Sequence, residues 1–261
     1  MMQSVNLFPR PVGQHNGAEP STLQDIPAEQ VVLRATTRIV FQTEPTSPAA
    51  DRIRYLRMRL REPWEAGKLK TVLITSPLAH EGKSTITLNL ATALAEGGKR
   101  TVVLVEADLH YSPLLGQFGL PARSEGFADC VKNGSNPLSA TIRLEPLGWY
   151  LLPAGKPGAN PTELLQTKAL SSVMQKLSAH FDWVLIDSPP VLPLTDALSL
   201  KQHADASLVV VRAGSTPKDA IEEAITLLGP QHVLGIVLNG VEGLNSLYYK
   251  YGYYRDSALA P

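Results

Sequence analysis

The chain has 261 residues, and its 24 lysine and arginine residues balance 24 aspartate and glutamate residues. The zero net charge excludes binding to nucleic acid through overall charge, and the single cysteine excludes an internal disulfide and a multi-cysteine zinc site. No uncharged apolar run approaches the roughly 20 residues that a membrane helix needs, and the N-terminus shows no signal-peptide pattern. We therefore expect a cytoplasmic protein, associated with a membrane only through a partner.

The first 48 residues are rich in proline, glutamine, threonine and serine and have little apolar periodicity, which predicts a flexible extension for most of them. Residues 31–41 are more apolar, and a short strand or helix there is an open alternative. Residues 51–61 then carry apolar side chains at helical spacing, with Asp51, Arg54 and Arg57 along another side of the predicted helix. A solvated arginine face and a surface that contacts a membrane or a partner are both open interpretations of this helix.

Residues 71–89 contain a phosphate-binding pattern. An apolar run at 72–74 predicts a buried strand, and after a loop Gly82-Lys83-Ser84-Thr85 opens a helical pattern. In that context, backbone N–H groups and the positive end of the helix hold phosphate oxygens. Lys83 would reach the β- and γ-phosphates, and the Ser84 hydroxyl would bind Mg²⁺. Pro77 stands where the full pattern has its first glycine.

Strands and helices alternate from residue 71 to residue 241, with a turn-rich interval at 110–148. This alternation predicts an α/β fold of the P-loop NTPase type, a doubly wound and mostly parallel sheet with helices on both faces. Ligands bind such sheets at the carboxyl ends of the strands. The predicted strands are 72–74, 101–105, 149–152, 183–186, 208–211 and 233–238, and the longer predicted helices are 84–96, 162–180, 195–202 and 217–228.

Three acidic residues follow predicted strands. Asp187 follows an apolar run and is expected to bind Mg²⁺ directly or through water, although a helix cap is the alternative. Glu106 and Asp108 lie two residues apart, so one carboxylate could bind a metal and the other could accept a proton from a hydroxyl. The alternative interpretation is that both are solvated residues at the end of a strand.

The tail is the last unusual feature, since five of the eight tyrosines lie within residues 248–254. Tyrosines clustered in a polar terminal segment are typical of interaction sites, stacking platforms or modification targets. They are Tyr248, Tyr249, Tyr251, Tyr253 and Tyr254.

Taken together and in this order, six segments resemble the bacterial tyrosine kinases, the cytoplasmic partners of polysaccharide co-polymerases. The resemblance extends over roughly residues 45–254. The segments are Asp51-x-x-Arg54-x-x-Arg57, the Walker A segment 74–91, the second Walker motif 103–109, the stretches 152–155 and 160–165, the Walker B region 181–197, and the closing strand 235–241 with its tyrosine tail.

The resemblance implies an ATP- and Mg²⁺-dependent autokinase that acts between subunits on its tail tyrosines, in capsule or exopolysaccharide production. It implies a homo-oligomeric ring, with an octamer as a candidate size, an activating membrane co-polymerase, a tyrosine phosphatase and no nucleic acid. Three domain parts follow: a flexible extension at 1–48, a kinase domain at 49–241 with an oligomerisation helix at 49–62, and a tyrosine-rich tail at 242–261.

The resemblance also implies a role for each matching residue. The implied nucleotide-binding residues are Glu81, Gly82, Lys83, Ser84 and Thr85; the catalytic residues are Lys83, Glu106, Asp108 and Asp187; the metal ligands are Ser84, Asp108 and Asp187; the subunit contacts are Asp51, Arg54 and Arg57; and the phosphoacceptors are the five tail tyrosines.

The sequence departs from the family pattern at several positions. Glu106 replaces an aspartate, His110 replaces an arginine, and Ala79-His80 replaces Pro-Gly, while Asp51 replaces a glutamate. These departures keep open a nucleotide-dependent scaffold with little catalysis. A MinD/ParA-like ATPase is the other alternative, but Leu78 stands where those proteins carry an extra lysine.

Overall fold

The computed structural model describes residues 20–33 and 38–241, and these form one sheet of eight strands covered by helices on both faces. The strands are β1 (Ala28–Gln30), β2 (Thr71–Thr75), β3 (Val102–Glu106), β4 (Ile142–Glu145), β5 (Trp149–Leu152), β6 (Trp183–Asp187), β7 (Ala206–Arg212) and β8 (Val233–Asn239). The α-helices are α1 (Val40–Thr43), α2 (Pro48–Glu65), α3 (Lys83–Ala95), α4 (Leu114–Gln117), α5 (Phe127–Asn133), α6 (Pro137–Ala140), α7 (Pro161–Leu164), α8 (Lys168–His180), α9 (Asp196–Lys201) and α10 (Lys218–Leu228).

The strands lie in the order β1-β4-β5-β3-β6-β2-β7-β8, and every neighbouring pair is parallel except β4–β5. Each residue of β2, β3 and β6 is buried, as expected for central parallel strands that are covered on both faces. The predicted fold class is confirmed. The carboxyl ends of these three strands therefore meet at one edge of the sheet, where Asp187 pairs in register with Ile74 on one side and Glu106 on the other.

The helices divide between the two faces in chain order. Helices α1 to α4 pack on one face, in a core that contains Ile53, Leu60 and Leu88. Helices α5 to α10 pack on the other face, in a core that contains Phe127 and Leu170. Within the part of the chain that the structure describes, no helix is both long enough and apolar enough to cross a membrane.

Helix α2 extends the predicted helix at both ends. The Ser47 hydroxyl caps its start by accepting a hydrogen bond from the Ala50 amide at 3.2 Å, and Pro48 occupies the first turn, where its missing N–H costs nothing. At the other end Trp64 stacks on Trp183 with ring centroids 5.8 Å apart, and its indole N–H donates to the Asp182 carbonyl at 3.0 Å. The C-terminal end of the helix is thus fixed to β6, and Ile53 and Leu60 are buried in the core on this face.

Residues 20–33 and 38–48 of the predicted extension contain β1, α1 and the first residue of α2. Strand β1 pairs in parallel with β4, and Ile26 and Ile39 are buried. The side chain of Asn89 on α3 accepts a hydrogen bond from the Val40 amide at 2.8 Å and donates to the Arg38 carbonyl at 2.8 Å. The sequence of this segment has only a weak local preference for helix or strand, and contacts with residues distant in sequence hold it in place. Residues 1–19 lie outside the described part.

Two other elements differ from prediction. The helix expected at 162–180 is two helices, α7 and α8, because Thr167 between them has an extended backbone. The turn-rich interval 110–148 contains β4, which pairs antiparallel with β5. The tail 242–261, with all five predicted phosphoacceptor tyrosines, lies outside the described residues.

Candidate active site

The loop between β2 and α3 ends at Gly82, whose φ of 93° lies in the left-handed region that favours glycine. A Cβ atom at this position would lie 2.1 Å from the side-chain nitrogen of Asn239, which would have to move from its place beside the Glu81 carbonyl. Lys83 begins α3, and the first N–H groups of a helix have no partner within the helix. The loop therefore presents free donors and the positive end of a 13-residue helix at the carboxyl edge of the sheet.

Glu81 holds this loop against the far side of the sheet. Its carbonyl accepts a hydrogen bond from the Asn239 amide group at 2.9 Å, at the end of β8. Its buried carboxylate accepts from the Thr216 hydroxyl, in the turn between β7 and α10, and from the Leu78 amide at 3.4 Å. Glu81 was predicted to bind the nucleotide, and the geometry gives its carboxylate the task of fixing the loop.

Asp187 lies at the centre of the site. It is 2% exposed, and the Thr87 hydroxyl lies 3.1 Å from its Oδ1 atom. Burial raises the pKa of Asp187 to about 6. A hydrogen bond from Ser84 and the positive charge of Lys83 act in the opposite direction. The predicted P-loop residues and the predicted Walker B acid are therefore in mutual contact.

Asp108 lies on the same edge, two residues beyond the end of β3. Its Oδ1 atom accepts a hydrogen bond from the Tyr111 amide at 3.1 Å, so a tight turn fixes the carboxylate. Burial raises the pKa of Asp108, and the Lys83 charge lowers it. Lys83 is itself only 8% exposed. One buried lysine thus lies within electrostatic reach of both Asp108 and Asp187.

Glu106 differs from the other two acids. Its Oε1 atom accepts a hydrogen bond from the Leu114 amide at 2.8 Å, and its Oε2 atom accepts from the Ala154 amide at 3.1 Å. Burial also raises its pKa. The carboxylate therefore joins β3 to the start of α4 and to the loop after β5. A catalytic role for Glu106 stays a prediction, and the structural role was not indicated by the sequence.

The residues present fit a nucleotide with Mg²⁺. Among the described residues, no group of three or more His, Cys, Asp and Glu side chains could hold a metal ion by itself. Mg²⁺, however, is usually held by one or two carboxylates together with phosphate oxygens and water. Ser84 and Asp187, with Asp108 close by, supply such oxygen donors beside the helix end that would hold the phosphates.

Comparisons with known proteins agree with this geometry. Residues 75–224, more than half of the chain, match the model of the family described as cellulose biosynthesis protein BcsQ. The chain is 31% identical over 223 residues to tyrosine-protein kinase YwqD of Bacillus subtilis (strain 168), a match that covers 85% of this chain and 92% of that protein. The solved BceF tyrosine kinase domain is 29% identical, with a TM-score of 0.70 over 82% of this chain and 92% of that one. The chain belongs to the bacterial tyrosine kinase family.

Two further matches are a longer relative and a solved structure of lower sequence identity. Tyrosine-protein kinase ptk of Acinetobacter johnsonii is 32% identical over 203 residues, and the chain covers 27% of that longer protein. The septum site-determining protein MinD from Pyrococcus horikoshii, solved as a complex with Mg-ADP, matches with a TM-score of 0.55 at 22% identity over 65% of this chain and 69% of that one. At that identity the likeness shows the fold alone.

As a bacterial tyrosine kinase, the chain departs from the family pattern at His80, where the sequence has Ala79-His80 in place of Pro-Gly. His80 has a φ of 63°, a left-handed conformation that costs a residue with a Cβ atom about 1 to 2 kcal/mol. The glycine of the family pattern would adopt it without that cost. The loop therefore places a residue with a Cβ atom in a backbone conformation that suits glycine better.

His110, in the place of the family arginine, also has a defined partner. Its Nε2 atom lies 2.9 Å from Oδ2 of Asp196, which is fully buried at the start of α9. The Thr162 hydroxyl on α7 donates to the other oxygen of Asp196 at 2.8 Å. The pair joins the turn that carries Asp108 to two helices on the other face of the sheet. The sequence marked His110 only as a departure.

The predicted subunit contacts lie on α2, away from this cluster. Arg54 forms an ion pair of 2.8 Å with Asp51 and donates to the Pro45 carbonyl at 2.7 Å. Arg57 donates to the Ala93 carbonyl at 3.3 Å. About two fifths of each arginine side chain is exposed. Their role between subunits stays a prediction.

Proposed function

We propose that the chain is an ATP-dependent protein tyrosine kinase that phosphorylates its own tail tyrosines between subunits. The observation that carries the proposal is the contact of Lys83, Ser84 and Asp187 beside a P-loop, with Asp108 at the same edge. These are the groups that phosphoryl transfer needs, since it depends on positioned phosphates, spread charge and an oriented nucleophile.

In the proposed reaction, a tyrosine phenol oxygen forms a bond to the γ-phosphorus of ATP. The bond from that phosphorus to the β–γ bridging oxygen breaks, and ADP leaves with the electron pair. The phenolic proton passes to Asp108, because its raised pKa makes it a better proton acceptor than an ordinary aspartate. Lys83 and the N–H groups at the start of α3 hold the phosphate oxygens. Ser84 and Asp187 would hold Mg²⁺, which would neutralise phosphate charge when bound.

In this proposal Glu106 fixes the positions of α4 and of the loop after β5, and it does not accept the phenolic proton. Both of its oxygens already accept backbone hydrogen bonds, from Leu114 and from Ala154. Its extra methylene relative to the family aspartate extends the carboxylate toward those two amides. Among the described residues, Glu106 forms no hydrogen bond with a phosphate-binding residue. The replacement of the family aspartate by Glu106 is therefore expected to weaken catalysis only slightly.

The partners follow from the family resemblance. We propose a homo-oligomeric ring, with an octamer as the candidate size, in which Asp51, Arg54 and Arg57 join neighbours. An activating cytoplasmic segment of a membrane polysaccharide co-polymerase would bring the kinase to the membrane, and a tyrosine phosphatase would reverse its reaction. A role in exopolysaccharide or capsule production accords with the family description, which names cellulose biosynthesis.

The test is phosphosite mapping after incubation of the full chain with ATP, Mg²⁺ and the activating segment. Lys83→Met is expected to abolish tyrosine phosphorylation with the fold intact, because the phosphate-binding charge is lost. Lys68→Met, which removes an exposed lysine after α2, is the matched control and is expected to label like the wild type. Replacing the five tail tyrosines by phenylalanine is expected to remove most of the incorporated phosphate.

The other outcomes separate the alternative functions. ATP turnover without phosphotyrosine would favour the MinD-like ATPase whose fold the chain shares. Nucleotide binding without turnover would favour a scaffold with little catalysis. Labelling of the tail variant at the wild-type level would show that the main phosphoacceptors lie elsewhere in the chain.

A further inference from the structure

Strand β8 lies at one edge of the sheet and carries an exposed apolar face. It pairs with β7 on one side, and no strand in the described part of the chain pairs with its other side. Leu234, Ile236 and Leu238 are 39%, 50% and 57% exposed. Val237 between them points the opposite way and packs against the core on the α1–α4 face. An open edge strand with apolar side chains is a template for another strand.

The segment that follows β8 has the sequence needed to return along this edge. Strand β8 ends at Asn239, and Gly240 has a φ of 69°, in the left-handed region that suits a tight turn. Residues 240–243 have the length of a common hairpin loop, about four residues. Residues 244–249, Leu-Asn-Ser-Leu-Tyr-Tyr, would then lie antiparallel to β8, and tyrosine is enriched in strands.

The register set by this loop brings apolar side chains of the two segments together. Leu247 would lie opposite Ile236 on the exposed apolar face. Tyr249 would lie on the same face beside Leu234, near the start of β8, where the pairing with β7 is irregular. A loop longer or shorter by one residue would place Ser246 on this face instead. The apolar pattern of the tail therefore matches the exposed face in one register.

The opposite face of β8 has room for a tyrosine in the same register. Tyr248 would lie opposite Gly235, where an added Cβ atom meets nothing within 4 Å. An aromatic ring opposite a glycine in an edge strand can fill such a space and cover the backbone. Both faces of β8 would thus lose apolar or backbone surface to water through one strand, which favours the paired state.

We propose that β8 is a docking surface for the chain's own tail, and that residues 244–249 pair with it as an additional strand when the tail is unphosphorylated. The pairing holds Tyr248 and Tyr249 against their own domain and away from the active site of a neighbouring subunit. A phosphate on Tyr249 would bring negative charge to the apolar face and release the strand. This release rests on the proposed kinase function, whereas the docking does not.

The test is hydrogen–deuterium exchange of the dephosphorylated full chain without nucleotide. Alternate amides of residues 244–249 are expected to exchange about tenfold more slowly than in a synthetic peptide of residues 242–261, because they would bond to β8. Ile236→Lys places a charge on the docking face and should restore the exchange rate of the peptide. Leu247→Lys should do the same, and this variant changes only the tail.

Val32→Lys is the matched control, because Val32 is 63% exposed and follows β1 at the opposite edge of the sheet. It adds the same charge in place of an exposed apolar side chain, and it is expected to leave exchange of the tail as slow as in the wild type.

A pair of introduced cysteines tests the register. Ile236→Cys with Leu247→Cys should form a disulfide in oxidised glutathione, because opposite Cα atoms of antiparallel strands lie within disulfide range. Ile236→Cys with Ser246→Cys should not, since those side chains would point to opposite faces. The native Cys130 is buried and does not compete. Equal disulfide formation by the two pairs would overturn the proposed register.

Exchange of the wild-type tail at the rate of the peptide would overturn the docking. Slow exchange that persists in both Ile236→Lys and Leu247→Lys would also overturn it, because another surface would then hold the tail. These results do not depend on kinase activity, since no ATP is present. If the chain phosphorylates its tail, the phosphorylated tail should exchange like the peptide, and slow exchange there would overturn the release.

Discussion

Asp187 illustrates how an active-site residue reduces stability. The side chain is 2% exposed, and its carboxyl is easier to protonate in the native protein than in the unfolded chain, since burial raises the pKa from 3.8 to about 6. Below about pH 4 both states are protonated. Between about pH 4 and 6 the native state binds more protons, so this group makes stability fall as the pH rises.

We therefore expect Asp187→Asn to stabilise the protein at pH 7 in the absence of nucleotide and metal. The gain should approach about 3 kcal/mol in the free energy of unfolding, which is the upper limit set by the pKa difference. It should disappear as the pH falls below about 4. Urea denaturation in the presence of a chelator, at pH values from 4 to 7, would measure it.

Glu223→Gln is the control, because this carboxylate on α10 is exposed. It should shift stability by less than about 0.5 kcal/mol at any pH in this range. A gain for Asp187→Asn that is equal at pH 4 and pH 7 would contradict the electrostatic explanation and indicate better packing instead.

At the same scale, the sequence predicted which residues meet but not what each contacts. Lys83, Ser84 and Asp187 could be placed together because strand ends and a P-loop follow simple rules of parallel sheets. The anchoring role of Glu106 could not be predicted, because its partners are the backbone amides of Leu114 and Ala154, 8 and 48 positions away. Backbone donors leave no signature in side-chain identity.

At the scale of elements, the segment before α2 is part of the fold. Ile39 is 1% exposed and belongs to the core formed by α2, α3 and the sheet. Ile39→Ala is expected to lower the free energy of unfolding by about 3 kcal/mol, through lost burial and the cavity that remains. Chemical denaturation of the full chain would measure the change.

Val32→Ala provides the comparison, since Val32 is 63% exposed in the same segment and should cost less than about 0.5 kcal/mol. If Ile39→Ala cost no more than Val32→Ala, the segment would contribute little to the stability of the domain, as a flexible extension would.

The elements that could be predicted share one property, a strong local pattern. Strands β2, β3 and β6 are continuous apolar runs, and α2 has helical periodicity with a serine cap. Strand β1 is Ala28–Gln30, with no alternation and little β-propensity, and it exists because β4 is available for pairing. Elements of this kind depend on tertiary contacts that a local pattern does not contain.

At the scale of the whole molecule, the arginine face of α2 and the tyrosine tail should act together. Each phosphotyrosine adds about −1.5 to −2 charges at pH 7, so several in one tail repel one another and compete for exposed arginines. Phosphorylation is therefore expected to disfavour the proposed ring. Sedimentation velocity of phosphorylated and dephosphorylated chains, with the activating segment present, would measure it.

The variant with five phenylalanines in the tail is the control, since it should remain assembled after incubation with ATP. Equal assembly of the phosphorylated and dephosphorylated chains would contradict the prediction. It would show that phosphorylation of the tail does not control assembly of the ring.

The three tryptophans of the chain have a consequence for spectroscopy. Trp64, Trp149 and Trp183 all belong to the core between the sheet and helices α1 to α4. Helices α5 to α10 contain no tryptophan, so indole fluorescence records the loosening of one layer, whereas far-ultraviolet circular dichroism records both. Unfolding curves from the two signals should coincide only when the layers separate from the sheet in one cooperative event. A fluorescence transition that came first would mark α2, with its stacked Trp64, as an element that detaches early.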